Sequence, residues 1–314
     1  MHRVLVVGVP RSGTTWIGEA LGRARDARYV HEPDGVTEPF ALRAQLHDGL
    51  THYPIVHAGE QPHELSRLWN GVFAGGRRPN SRRDRLARNL YKRVDDAAKV
   101  RARATGHPSL TMRVVERLAV PRVAEPDATA VVAKSVNAAF SVEWIWEQWR
   151  PQILVVRRDL RSVMASWLEL GFGGTIPSVY ATATREAVAR WDLTFPPYDD
   201  PLLRSIAFCA IMTLALNDGL RAHAEWHSVS HEDACLDGST RLPAAADALG
   251  LDWTDAAAEF VRTSDRPGSG YETRRVASDL PDSWKRRLTQ QQIDAIASVI
   301  DRIPDELWRV EPSR

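Results

Sequence analysis

The sequence predicts a three-layer α/β/α fold, in which helices cover both faces of a central parallel sheet. Three observations lead to this prediction. At 314 residues the chain is long enough to bury one large α/β core. An apolar run over residues 4–7 breaks at Gly8 and gives way to helical apolar spacing from Thr14. Apolar runs at 129–135 and 152–157 end in polar residues, as expected where parallel strands meet a ligand crevice.

The first element is a strand, a phosphate-binding loop and a helix over about 14–24. Backbone N–H groups of such a loop and of the first helical turn converge on one point and can cradle a phosphate or sulfate. Gly8 and Gly13 match the nucleotide-triphosphate loop G-x-x-x-x-G-K-[ST], but Thr14 stands at its lysine position. Arg11 supplies a cation inside the loop, and no acidic residue ends a nearby apolar strand to hold Mg²⁺. The pattern favours a donor less charged than ATP, and the alternative is an ordinary strand, turn and helix.

Residues 10–16, Pro-Arg-Ser-Gly-Thr-Thr-Trp, resemble the 5′-phosphosulfate loop of soluble, bacterial-type sulfotransferases that use 3′-phosphoadenosine 5′-phosphosulfate (PAPS). The resemblance implies the P-loop NTPase-like sulfotransferase fold and metal-free transfer of a sulfuryl group to an acceptor hydroxyl. Gly13, Thr14 and Thr15 would hold the 5′-phosphate, and Trp16 would flank the adenine. The donor-binding residues that it implies in this loop are Arg11, Ser12, Gly13, Thr14, Thr15 and Trp16.

A second short strand is predicted over 27–30, followed by His31 and Glu32. Because polar residues at the end of a parallel strand face the crevice, Glu32 is a candidate general base for the acceptor. It also matches by position the glutamate proposed as base in the tyrosylprotein branch of the family. The alternative is a helix-cap carboxylate or an ion pair with Arg28 or Arg43. His31 is a second candidate base, which strand alternation points to the other face.

The end of the strand at 129–135 carries Lys134. Resembling sulfotransferases keep a strand-end lysine that contacts the sulfuryl group, so Lys134 and Arg11 would neutralise its charge. Those enzymes place a catalytic histidine two residues later, where this chain has Val136. This departure strengthens the case for Glu32 as the base.

The next strand, 152–157, is followed by Arg158, and Ser166 lies about two turns into the helix behind it. The pair resembles the family's 3′-phosphate signature, Arg-x-x-x-[Asp/Ser]-x-x-x-Ser. A guanidinium fork matches phosphate oxygens, and a serine hydroxyl adds one donor. Near the carboxyl end, Arg274 and Arg275 are the nearest match to the family's basic pair for the same phosphate; surface arginines are the alternative.

The other regions are predicted to form scaffold. Residues 38–125 form a helical insertion on the acceptor side of a single domain, 1–314. Between 77 and 103, eleven basic and three acidic residues give a net charge of +8, which fits an anionic acceptor or a solvated helix face. An aromatic helix over 140–149 and a long helix over 202–221 are expected in the core. The last strand, over 226–230, precedes His231, at a position where the family has tyrosine.

The composition limits which partners, metal sites and compartments are expected. With 41 basic and 40 acidic residues, and no accompanying DNA or RNA motif, nucleic acid is a poor partner. Cys209 and Cys235 suit neither a disulfide scaffold nor a zinc site, and no apolar run approaches the length of a membrane span. We therefore expect a cytoplasmic enzyme that needs no metal and acts on a small-molecule, glycan or lipid acceptor, with oligomerisation left open. The alternatives are a P-loop small-molecule kinase and a non-catalytic nucleotide-binding relative.

Overall fold

The structure is a computed structural model that describes residues 1–74, 82–121, 128–171, 177–264 and 282–310. Its centre is a sheet of five parallel strands with the spatial order β2-β3-β1-β4-β5. The strands are β1 (His2–Gly8), β2 (Ala27–His31), β3 (Ala130–Ser135), β4 (Gln152–Arg157) and β5 (His227–Ser230).

The strand order places the candidate residues at one edge of the sheet. The chain leaves β1 for β2, returns through β3 to lie beside β1, and then crosses to β4 on the other side. The register pairs Val6 of β1 with Lys134 of β3, Gly8 with Val156 of β4, and His31 of β2 with Lys134. The carboxyl ends of these strands therefore meet where the strand order reverses, which is where open α/β sheets bind ligands.

Sixteen helices are described around the sheet. The helix after the loop is α1 (Thr14–Leu21), and the segment before β3 contains α2 (Pro39–Asp48), α3 (His63–Ala74), α4 (Arg82–Arg93), α5 (Asp96–Thr105) and α6 (Leu110–Leu118). A 3-10 turn (Asn137–Phe140), α7 (Val142–Trp149), α8 (Leu160–Glu169), α9 (Pro177–Trp191) and α10 (Pro201–Ala222) follow. The last six helices are α11 (His231–Leu236), α12 (Gly238–Ala248), α13 (Asp255–Ser264), α14 (Trp284–Arg287), α15 (Gln290–Ile300) and α16 (Asp305–Trp308).

The two faces of the sheet bury separate apolar clusters. Leu5 and Val7 of β1 pack into the larger cluster with side chains of α3, α7, α8 and α10. Val4 and Val6 point the other way and pack with side chains of α1 and α12. This alternation is what a strand with a side-chain period of two produces when helices cover both faces. The predicted three-layer α/β/α fold is confirmed.

Most predicted elements lie within one or two residues of their observed bounds, and the differences have local causes. The loop helix ends at Leu21 because the chain tightens there: Arg23 and Ala24 donate their N–H groups three residues back. The aromatic helix begins at Val142 because a 3-10 turn takes the preceding residues.

Among the residues that the structure describes, one helix has the length and hydropathy of a membrane span, contrary to the prediction that no apolar run approaches that length. It is α10, and 72% of its most apolar 18-residue window is buried inside the protein. Burial of that kind is usual for the core helix of a soluble protein. Cys209 in α10 and Cys235 in α11 are both buried free thiols.

Candidate active site

The predicted phosphate loop lies between β1 and α1 and has unusual backbone torsions. Gly13 is the N-cap of α1 with φ of 91°, and Arg11 has φ of 73°. The N–H of Ser12 closes a tight turn onto the Val9 carbonyl at 2.9 Å. A Cβ at Gly8 would lie 2.4 Å from the Ser12 Oγ. The loop can therefore fold back over residue 8 because glycine has no side chain. The first turn of α1 thereby presents its N–H groups toward the crevice.

Three buried polar atoms in or beside the loop have no hydrogen-bond partner among the described residues. They are the Ser12 Oγ, the Trp16 Nε1 and the Arg158 Nε. Buried donors are normally satisfied, so orphaned ones next to a helix N-terminus fit a site that is completed by an anionic ligand.

Three predicted donor-binding residues come together at this point. The Arg11 Nε donates to the Ser166 Oγ at 2.9 Å, and the Arg158 Nη1 donates to the Arg11 carbonyl at 2.6 Å. Burial lowers the pKa of Arg158 to about 10, so its guanidinium is still charged at neutral pH. Residues from three separate segments thus place two cations and a hydroxyl at one end of the sheet.

The loop packs against His231, which lies at the start of α11. A Cβ at Gly13 would lie 2.1 Å from the Cδ2 of His231, and the Trp16 ring meets the same histidine edge-on at 6.4 Å between centroids. Burial, with a smaller contribution from the charge of Arg158, holds the pKa of His231 well below its usual range. A neutral imidazole therefore packs directly beneath the loop. Sequence reasoning left its role open.

Trp16 itself is partly buried and packs toward α12. A Cβ at Gly238 would lie 3.6 Å from its ring. The assignment of Trp16 as the adenine neighbour stays a prediction.

The second part of the site is formed where β2 and β3 end. Lys134 donates a hydrogen bond to the Glu32 Oε1. The other carboxylate oxygen of Glu32 accepts from the Asn137 Nδ2 at 3.0 Å and the Val136 N–H at 3.3 Å. Lys134 is only 3% exposed, so Glu32 supplies the anion that its buried ammonium needs.

This geometry decides among the ion-pair partners considered for Glu32. Its partner is Lys134 rather than Arg28 or Arg43, since Arg43 pairs with Glu64 at 2.8 Å. Glu32 has φ of 42°, a left-handed conformation that is costly outside glycine and is often found at functional sites. His31 is exposed and its Nδ1 contacts the Tyr29 hydroxyl at 3.0 Å. The structure brings Glu32 and Lys134 together, but the role of Glu32 as base stays a prediction.

Other predictions fall where the structure describes little or nothing. Arg274 and Arg275 lie outside the described residues, as does part of the basic stretch 77–103. Within the described part of the chain, no cluster of three or more His, Cys, Asp or Glu side chains is arranged to hold a metal ion.

Sequence reasoning missed Asp34 and Asn137. Both are buried polar residues next to Glu32, and Asp34 is 3% exposed. The signal was present as a polar run at the end of each strand, but it did not show which side chains turn inward.

Comparison with known proteins gives likenesses at the level of structure. No family model matches the chain, and a search of curated proteins finds no match. A sulfotransferase domain from the curacin biosynthetic pathway is 13% identical with a TM-score of 0.47, over 96% of this chain and 97% of that one. The sulfotransferase domain of the Synechococcus PCC 7002 olefin synthase is 14% identical with a TM-score of 0.43, over 97% and 96%.

A third similar structure is the sulfotransferase STF1 from Mycobacterium tuberculosis H37Rv. It is 12% identical with a TM-score of 0.39, over 96% of this chain and 76% of that one. All three structures are sulfotransferases or sulfotransferase domains, the family that residues 10–16 resemble.

Proposed function

We propose that this protein transfers a sulfuryl group from PAPS to the hydroxyl of a glycan, lipid or small-metabolite acceptor. The observation that carries the proposal is the meeting of Arg11, Arg158 and Ser166 beside a glycine-capped helix N-terminus. Helix N–H groups favour a phosphate, and a guanidinium with an unused N–H favours a second one. PAPS carries phosphates at the 5′ and 3′ positions of one nucleoside.

The residues of the loop fit the 5′ end of such a donor. Backbone N–H groups at Gly13, Thr14 and Thr15 would hold the 5′-phosphate, and Ser12 offers a buried hydroxyl without a described partner. Arg158 and Ser166 would hold the 3′-phosphate, and the Arg158 Nε has no partner among the described residues.

Lys134 and Glu32 suit the transfer step. The sulfur–oxygen bond to the donor phosphate breaks as a new one forms to the acceptor oxygen, and the acceptor proton passes to a base. Lys134 would neutralise charge on the transferring group, since fixed cations at developing charge lower the barrier. Glu32 would take the proton once an acceptor and donor draw Lys134 away from it.

Two observations disfavour the P-loop kinase alternative. Kinases with such a loop need a lysine that Thr14 replaces here, and the only buried lysine near the loop in the described structure comes from β3. A non-catalytic relative would be expected to lose Arg11 or the base, whereas this chain keeps Arg11, Lys134 and Glu32.

The experiment is a product screen. The purified protein is incubated with PAPS and pools of glycans, lipids and phenolic compounds, and mass spectrometry searches for products heavier by one SO₃. The proposal predicts such a product together with 3′-phosphoadenosine 5′-phosphate (PAP), both lost in Lys134→Met. Transfer from ATP instead, with a phosphorylated product, would contradict it.

A further inference from the structure

Asp34 is a second carboxyl on the turn that carries Glu32. The turn is closed by the Gly35 N–H, which donates to the Glu32 carbonyl at 3.0 Å. A Cβ at Gly35 would lie 3.0 Å from the Glu32 Cβ, so the turn is tight. The two carboxyls are therefore held on one short, closed segment at the end of β2.

Ser135 connects Asp34 with Glu32. Its Oγ lies 2.7 and 2.8 Å from the two Asp34 oxygens and accepts from the Asn137 and Ala138 N–H groups at 3.0 and 3.1 Å. Since a hydroxyl accepts two hydrogen bonds and donates one, its proton is directed to Asp34. The bonds to Asn137 and Ala138 fix the 3-10 turn, and Asn137 donates its side-chain N–H to Glu32. A chain of contacts thus runs from Asp34 to the candidate base.

The surroundings of Asp34 hold little that compensates a charge. On one side lies a small cavity lined by alanine, leucine and proline side chains of α2, α3 and the segment between them, with Gln45 as its other polar group. On the other side are Ser135, Asn137 and the Glu32 carboxylate, while the buried Tyr53 hydroxyl, whose pKa burial raises, stays neutral. The ammonium of Lys134 forms its ion pair with Glu32 and not with Asp34. Burial, reinforced by the charge of Glu32, raises the pKa of Asp34 to about 7.

We propose that Asp34 is a positioning residue for Glu32, which it orients through Ser135 and the turn that carries Asn137. The inference rests on the proposed function, in which Glu32 is the base. When Asp34 ionises, the hydrogen bond that it accepts from Ser135 becomes charge-assisted, which holds the turn and the Asn137 contact to Glu32 more firmly. Turnover should therefore rise with pH as Asp34 loses its proton.

The test compares wild type, Asp34→Asn and Asp26→Asn. Asparagine keeps an oxygen that accepts from Ser135, so it removes the charge and keeps the hydrogen bond. Asp26 is exposed at the opposite end of β2, so Asp26→Asn is a matched control for the change in charge. Turnover with the acceptor found in the product screen is measured from pH 5.5 to 9, at saturating PAPS.

We expect wild type and Asp26→Asn to show a step in kcat near neutral pH. Asp34→Asn should lack the step and have a plateau about three- to tenfold lower, because its amide oxygen accepts the Ser135 hydrogen bond without a charge. Its KM for PAPS and its affinity for PAP should match wild type. An unaltered step in Asp34→Asn overturns the inference, as does a general loss of PAP affinity.

A second readout needs neither an acceptor nor a folded Asp34 variant. In protein labelled with ¹³C at Asp and Glu carboxyls, NMR titration should show Asp34 losing its proton near neutral pH, and at lower pH in Glu32→Gln, where the repulsion is gone. An Asp34 titration unchanged by Glu32→Gln overturns the inference. Wild type that binds no PAP contradicts the proposed function instead, so the two failures are distinguishable.

Discussion

The two halves of the site differ in how their polar groups are satisfied. Around the phosphate loop, the Ser12 Oγ and the Arg158 Nε are buried without described partners. At the ends of β2 and β3, by contrast, Lys134 and Glu32 satisfy one another, and Asn137 and Val136 donate to the remaining carboxylate oxygen. The loop half therefore contains buried donors without a described partner, whereas the polar groups at the ends of β2 and β3 bond to one another.

The difference indicates that the two halves meet the substrates differently. Donors held in place without a partner bind an anion at little cost in reorganisation. An ion pair must first be opened, so the Lys134–Glu32 pair is stable until a sulfuryl group and an acceptor compete for its two members. Changes at the loop should therefore alter binding, whereas changes at the pair should alter turnover.

The largest expected effect on turnover is at the ends of β2 and β3, where Lys134 pairs with Glu32. Glu32→Gln removes the proposed base and should lower kcat about 10²–10⁴-fold. It also leaves the buried Lys134 without its anion, so affinity for PAP should be kept or increased. Steady-state kinetics and calorimetry measure the two quantities. His31→Ala should have the milder effect.

Glu38→Gln is the matched control for Glu32→Gln. Glu38 is 5% exposed, and its carboxylate pairs with Arg88 of α4 at 2.8 Å. Its loss should lower stability and leave kcat near wild type. Near-normal turnover in Glu32→Gln would exclude Glu32 as the base.

The next effect concerns the rigidity of the loop. Gly13→Ala combines a positive φ with a Cβ placed 2.1 Å from His231, and should lower the free energy of unfolding by about 3 kcal/mol and weaken PAP binding. Gly49→Ala is the control, because Gly49 has φ of 67° and open space around it; it should cost only about 1 kcal/mol. Equal losses in the two variants would mean that His231 does not constrain the loop. Chemical denaturation measures both.

The smallest effects are expected at the 3′-phosphate residues. Arg158→Ala removes a charged hydrogen bond worth roughly 1.5–3 kcal/mol and should raise the KM for PAPS about 10- to 100-fold. Ser166→Ala should act in the same direction but less. Arg157→Ala is the control, since the Arg157 Nη1 donates to the Val310 carbonyl at 3.1 Å instead of facing the loop. The same KM in wild type and Arg158→Ala would contradict the assignment.

Much of this site could be predicted from the sequence because its signals are local. The loop glycines, the apolar strands and the polar residues after them are all short-range patterns. They placed Arg11, Lys134 and Arg158 at the carboxyl edge of a parallel sheet, and the structure has them there. The end of a strand can be predicted because the sequence changes there from apolar to polar residues.

What could not be predicted are partners from distant segments. The contact between Ser166 and Arg11 spans 155 residues, and the bond between Lys134 and Glu32 spans 102. No periodicity encodes which of two adjacent strand ends supplies the counterion. Asp34 was missed for the same reason, since its burial depends on the packing of α2 and α3 against the turn.

We expect the half of the site around the phosphate loop to bind a nucleotide with 5′- and 3′-phosphates without a metal. Isothermal titration calorimetry of the protein with PAP and with ATP, each with and without Mg²⁺, tests this most directly. PAP should bind at least about tenfold more tightly than ATP, because its 3′-phosphate gains a charged hydrogen bond, and Mg²⁺ should leave its affinity unchanged. Tighter binding of ATP that depends on Mg²⁺ would contradict it.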